Sequence, residues 1–220
     1  MKLGLGNSTG KGTLSQPGIV NDSLEAYLKY NGGLPQELSE GSLSLDGSSD
    51  YFGGTATVAG ATKLTITCWL KHYDTDTINI LSKGNYNNNA AGFHLKLDSN
   101  RISFSVRQQF EYWNDQVETF NEWNHIAIVW DSDAGTTKLY VNGTDQHAGS
   151  TGGTYAAVQS EAAALLIGRN TASGSTYGKA NIANVGIWVG KASTEAEIKS
   201  IMHKNYSTLS STESANLHRW

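Results

Sequence analysis

The chain has 220 residues, a formal net charge of −4, 24 glycines against 2 prolines, and a single cysteine. That length accommodates one all-β domain with extensions and buries a core without disulfides or metals, and the lone Cys68 rules out an intrachain disulfide. No lysine/arginine cluster provides the basic stripe that phosphate backbones require, so nucleic acid is not an expected partner. No apolar run approaches the roughly 18 residues of a membrane span, so membrane insertion is not expected either.

The chain opens Met1-Lys2-Leu3-Gly4-Leu5-Gly6-Asn7, without the unbroken apolar stretch of about 7–15 residues that a secretory signal needs. The expectation is a protein that stays in the cell that makes it, unless it leaves by another route such as a released virus particle. Residues 1–40 hold both prolines, Pro17 and Pro35, and scattered apolar positions at Leu3, Leu5, Leu14, Ile19, Val20 and Leu24. They read as an extended arm, either a partly ordered terminus or a docking segment that orders against a partner.

From Gly41 a period-2 alternation takes over, as half-buried antiparallel strands require. Strands are expected at Leu43–Leu45, Tyr51–Phe52, Leu64–Leu70, Ile78–Leu81, Phe93–Leu97 and Ile102–Val106, the last two forming a hairpin. Ile126–Trp130 is apolar on both faces and belongs mid-sheet, covered from both sides. Leu139–Val141 runs into Asn142-Gly143, whose tolerance of positive φ makes it a strong hairpin signal. Leu165–Gly168 and Ile182–Val189 supply the final strands. Thr194-Glu195-Ala196-Glu197 has capping-box spacing, which predicts one helix to about Lys204 with Ile198, Ile201 and Met202 on one face. Residues 205–220 read as a polar tail apart from Leu209, Leu217 and Trp220.

The pattern therefore predicts an all-β sandwich over residues 41–204, with an N-terminal arm and one short C-terminal helix. No catalytic group is expected. Glycosidases built on such sheets place carboxylates at alternating strand positions so that they share a face, and no Glu-x-Asp-x-Glu occurs here. The six histidines lack metal-ligand spacing, so neither a metal nor a cofactor is expected. Asp131-Ser132-Asp133 reads as a turn that caps its own backbone N–H groups, and Cys68 as a small core residue.

Binding chemistry is more visible. Sugar rings stack on aromatic faces while Asn and Asp bind hydroxyls, and two segments read as loops that combine those types. Asn85-Tyr86-Asn87-Asn88-Asn89 offers Tyr86 and Asn88, and Phe110-Glu111-Tyr112-Trp113-Asn114-Asp115 offers Tyr112, Trp113, Asn114 and Asp115. Trp113 is the expected stacking residue; the alternative is that these aromatics serve rim packing or reflect plain loop composition. Trp69, Trp123, Trp130 and Trp188 fall in strand motifs and are assigned to packing.

Seven pieces in order carry a resemblance: Leu45-Asp46-Gly47 with Asp50-Tyr51, Leu64–Leu70, Leu81-Ser82-Lys83-Gly84, Trp123–Ala127, Lys138–Gly143, Ile167-Gly168-Arg169 and Ala183–Trp188. The chain resembles the laminin G-like branch of the concanavalin A-like lectin/glucanase superfamily. That resemblance implies a two-sheet jelly roll whose ligands meet the concave face or rim loops. Many such proteins carry an acidic pair where this chain has Ala183-Asn184, so a calcium site there is not carried over. Residues 4–30, with Gly4-Leu5-Gly6, Pro17–Leu24 and Leu28-Lys29-Tyr30, are similar to the lead-in of structural proteins from marine bacteriophages. This implies a non-catalytic virion decoration or fibre protein, docked through the arm to capsid or tail proteins and displaying a sandwich for cell-surface glycans. Symmetric homo-oligomers are the default for such parts. The alternatives are a cellular carbohydrate-binding or adhesion module outside the cell and, third, a glucanase-type hydrolase.

Overall fold

The computed structural model describes residues 41–73, 77–84, 92–98, 101–106, 110–115, 121–146, 150–159, 163–170 and 177–219. The expected arm, residues 1–40, lies outside them. In chain order the strands are β1 (Leu43–Asp46), β2 (Phe52–Gly54), β3 (Lys63–His72), β4 (Ile78–Lys83), β5 (Phe93–Asp98), β6 (Arg101–Val106), β7 (Phe110–Asp115), β8 (Asn124–Asp131), β9 (Thr136–Val141), β10 (Thr144–Asp145), β11 (Ser150–Gly153), β12 (Leu165–Ile167) and β13 (Lys179–Val189). Helices α1 (Glu195–Ile201) and α2 (Ser211–Ser214) follow, and β14 (Leu217–Arg219) ends the order.

Two antiparallel seven-stranded sheets face one another. One runs β1-β13-β3-β8-β9-β10 with β14 also on β13; the other runs β11-β7-β6-β5-β4-β12-β2. Alternation along β3 sends Leu64, Ile66, Cys68 and Leu70 inward, where they join Ile126, Ile128 and Trp130 of β8 and Phe93, Leu95 and Phe104 of the opposite sheet in one buried cluster. This is the two-sheet jelly roll that the resemblance implied, built from strands that the alternation predicted.

Local chemistry closes the turns as expected. Asn142 and Gly143 take φ of 50° and 77° between β9 and β10, the positive values of a type I′ turn. The Asp131 carboxylate accepts from the backbone N–H groups of Asp133 and Ala134 at 3.0 Å and pairs with Lys63. Asp46 accepts from the N–H groups of Ser48, Ser49 and Asp50 after β1. Those donors, led by the Ser48 hydroxyl, hold its carboxyl far below the usual carboxylate range.

The outer face of the first sheet is covered. Ala127, Val129, Tyr140 and Trp188 form a second buried cluster with Ile198 and Ile201 of α1, so β8 is buried on both sides as its sequence required. Thr194 caps α1: its side chain accepts from the Glu197 N–H while the Glu197 carboxylate accepts from the Thr194 N–H. The helix ends at Ile201 with Met202 as its C-cap, short of the expected Lys204. The following residues are not a free tail. Tyr206–Thr208 forms a single 3₁₀ turn, α2 caps itself with Ser210 and Glu213, and β14 pairs with Gly186–Trp188. Trp69 and Trp188 donate their indole N–H groups to the carbonyls of Met202 and Glu213, which fastens this segment to the sheet.

Strands β1 and β14 share one edge of β13. β1 pairs with Lys179–Ile182, and β14 with Gly186–Trp188. Between these partners β13 carries a bulge, where its register with β3 shifts between Ala183 and Gly186. Asn184 there has φ of 49°, an αL value that asparagine tolerates better than most residues. The extra residue keeps both Ile182 and Val185 in the core.

Candidate functional site at the open edge of the sandwich

The segment Phe110–Asp115, expected to be a rim loop, is strand β7, paired on one side with β6 and on the other with β11. Tyr112 stands opposite Phe104 and Asn114 opposite Ile102, both in the core-facing row. Trp113 stands opposite Ser103 and Asp115 opposite Arg101. Successive strand positions alternate, so Tyr112 and Asn114 hold one set of register positions and Trp113 and Asp115 the other. A mixed sequence such as Phe-Glu-Tyr-Trp-Asn-Asp has no strict alternation, so its pairing was not legible without its neighbours. Tyr86 and Asn88 lie outside the described residues.

The outward row of the second sheet is polar, yet it is not an open platform. Ser82, His94, Ser103 and Asn79 are buried. The His94 Nε2 and Asn79 Oδ1 lie 2.7 Å apart, and Ser82 donates to the Arg169 carbonyl at 2.8 Å. Burial, aided by Lys96, pushes the His94 imidazole down to about 3, so the ring is neutral at ordinary pH and serves packing.

Accessible chemistry gathers where the two sheets part, between the β1/β13 edge and the β2/β12 edge. A groove of about 500 Å³ opens there, lined by Leu43, Phe52, Ile167, Ile182, Val185 and Tyr206 among others. The lining is mainly apolar, and Asn184 adds an amide whose Nδ2 has no hydrogen-bond partner. On the β2 side Tyr51 and Phe52 are exposed, at 46% and 43%, and Phe52 lines the groove. Arg169 follows β12. Its guanidinium carbon lies 4.9 Å from the Tyr51 ring centroid and 5.5 Å from that of Tyr177, and the two rings are 6.5 Å apart. Local backbone aims the arginine. Gly168 has φ of +84° and sits against Leu45, and Arg169 bridges to Tyr177.

Sequence reasoning did not single out this cluster, although Asp50-Tyr51 and Ile167-Gly168-Arg169 were both visible as motifs. Nothing in either motif says that they meet, because β2 and β12 become neighbours only through sheet pairing.

A profile of the concanavalin A-like lectin/glucanases superfamily matches residues 46–199 of the sequence. The chain belongs to this superfamily. No curated protein matches it in sequence. Among solved structures it is similar in fold to the heptameric SAP-like pentraxin of Limulus polyphemus, with 16% identity, TM-score 0.58, and coverage of 73% of this chain and 81% of the pentraxin. It is also similar to a Ruminococcus gnavus sialidase carbohydrate-binding module, CBM40, bound to α2,3-sialyllactose. That match has 18% identity, TM-score 0.51, and coverage of 74% of this chain and all of the module. A third likeness is the binding domain of botulinum neurotoxin serotype D, with 14% identity, TM-score 0.52, and coverage of 75% of this chain and 44% of the toxin chain. At these identities the likeness concerns the fold, which in all three is the lectin-like sandwich described above.

Proposed function

We propose that this superfamily member is a non-catalytic carbohydrate-binding module and that its binding surface is the open edge of the sandwich. The observation that carries the reading is the exposed Phe52 ring in the lining of an apolar groove that Asn184 also lines, with exposed Tyr51 next to Phe52 in the chain. Aromatic faces stack on the apolar faces of sugar rings, and a few placed polar groups fix orientation. The sialyllactose-bound CBM40 supports the reading as a module of similar fold that holds a saccharide. Glycoside hydrolysis would need two carboxyl groups flanking the scissile bond. No carboxylate is among the groove residues, and Asp46, Asp131, Glu197 and Glu213 are engaged in turns, helix caps and lysine pairs.

A second proposed contact region is the set read from the sequence, Trp113, Tyr112, Asn114 and Asp115 of strand β7 together with Tyr86 and Asn88. A glycan array run with the wild type, Tyr51→Ala/Phe52→Ala and Trp113→Ala tests both. Loss in the double variant alone assigns binding to the open edge; loss in Trp113→Ala alone assigns it to β7. An array on which the wild type binds nothing ends the carbohydrate reading.

The proposed setting is a virus particle, with residues 1–40 as the docking arm to capsid or tail proteins. The phage-like lead-in motifs Gly4-Leu5-Gly6 and Pro17–Leu24 support it. Mass spectrometry of purified particles tests this: the polypeptide should be present in wild-type particles and missing when residues 1–40 are deleted. Its absence from all particles would leave the cellular adhesion module as the setting.

A further inference from the structure

Arg169 differs from the other paired cations of the molecule. Lys63, Lys96, Lys138, Lys191, Lys199 and Lys204 each pair with an Asp or Glu carboxylate. Arg169 has no such carboxylate among the described residues, and its Nε is buried without a hydrogen-bond acceptor. Its neighbours are the rings of Tyr51 and Tyr177, which hold the guanidinium by cation–π contact on two sides. A buried donor without an acceptor costs free energy, so the protein holds this group in place with its Nε donor unused. A planar guanidinium fixed this way is pre-organised for bidentate contact with a carboxylate or sulfate. The exposed ring of Tyr51 lies beside it to receive a sugar face.

Resting on the carbohydrate reading, we infer that Arg169 receives the acidic group of a bound saccharide, so that the open edge selects acidic over neutral sugars. The anion meets the guanidinium beside the two tyrosines, and the sugar ring lies against exposed Tyr51. A purely structural Arg169 would need neither an exposed aromatic wall nor an unused Nε donor.

The test is calorimetric titration of the full chain with matched probes. These are lactose, 3′-sialyllactose and 3′-sulfolactose, together with oligogalacturonate and its neutral methyl ester. The expected result is that at least one acidic probe binds about ten-fold or more tightly than its neutral parent, weakening as salt rises. Arg169→Ala and Arg169→Lys should both abolish that preference, and Tyr51→Ala should reduce it. Lysine keeps the charge but lacks the planar fork, so its loss of preference separates recognition from folding even if the alanine variant is destabilised. Equal affinity for acidic and neutral probes, unchanged by Arg169→Lys, overturns the inference and leaves carbohydrate binding standing. If no probe binds and the glycan array is also blank, both readings fall.

Discussion

Acidification from pH 7 to pH 5 should destabilise this protein through two buried histidines. Burial pushes the imidazoles of His94 and His125 down to about 3, with Lys96 and His203 adding smaller contributions in the same direction. His125 lies edge-on to the Trp69 ring, 5.4 Å away, and both histidines are buried. Between about 3 and the ordinary 6.5 the unfolded chain binds these protons and the folded chain does not, so stability falls as pH drops through that window. At pH 5, one and a half units below 6.5, each ring contributes about 2 kcal/mol of lost stability, or about 4 kcal/mol for the pair. That is a large share of the 5–15 kcal/mol typical of folded domains. Asp46, Glu197 and Glu213, whose values are lowered from the carboxylate range, lose stability in the same direction but at lower pH, which leaves pH 5–6.5 to the histidines. Urea unfolding at half-unit pH intervals measures the slope, and the His94→Gln/His125→Gln double variant should flatten it. A wild-type stability that is level from pH 7 to pH 5, or a slope that survives in the double variant, refutes the reasoning.

Gly168→Ala should cost about 2–4 kcal/mol by urea unfolding, because the added Cβ would meet the Leu45 side chain in a backbone conformation that L-residues disfavour. A neutral result would show that the β12 exit relaxes freely. Cys68 is buried and its thiol is pushed up to about 12, so a thiol-specific reagent should label the native protein negligibly and the urea-unfolded protein stoichiometrically. Rapid native labelling would place the thiol outside the core. Thr194→Ala removes the capping box of α1 and should lower stability by about 1 kcal/mol, and Thr194→Ser should restore most of it. Trp130→Ala empties a fully buried site in the main core and should cost about 3–5 kcal/mol in the same assay.

Much of the fold was legible because its signals are local. Alternation placed Leu64, Ile66, Cys68 and Leu70 on one face, and Asn142-Gly143 and Asp131 closed their turns through their own backbone chemistry. Thr194 and Glu197 capped α1 from three residues apart. The double-sided apolar run Ile126–Trp130 announced a strand covered on both faces, and the second cluster under α1 supplies that cover. Each of these needs only a residue and its near neighbours.

The remainder depended on contacts between distant segments. The strand β7 has no alternation of its own and exists through the ladders of β6 and β11. The polar stretch after Lys204 is held to the sheet by the Trp188 indole, which donates to the Glu213 carbonyl, and by the pairing of β14 with β13. The candidate site required still more. Tyr51, Arg169 and Tyr177 are unremarkable in three separate stretches, and only the pairing of β2 with β12 and the positive φ of Gly168 bring them together. Composition and periodicity determined the central core strands and which of their faces would be dry. Sheet order, decided by long-range pairing that no local pattern encodes, determined which side chains would meet at the edge.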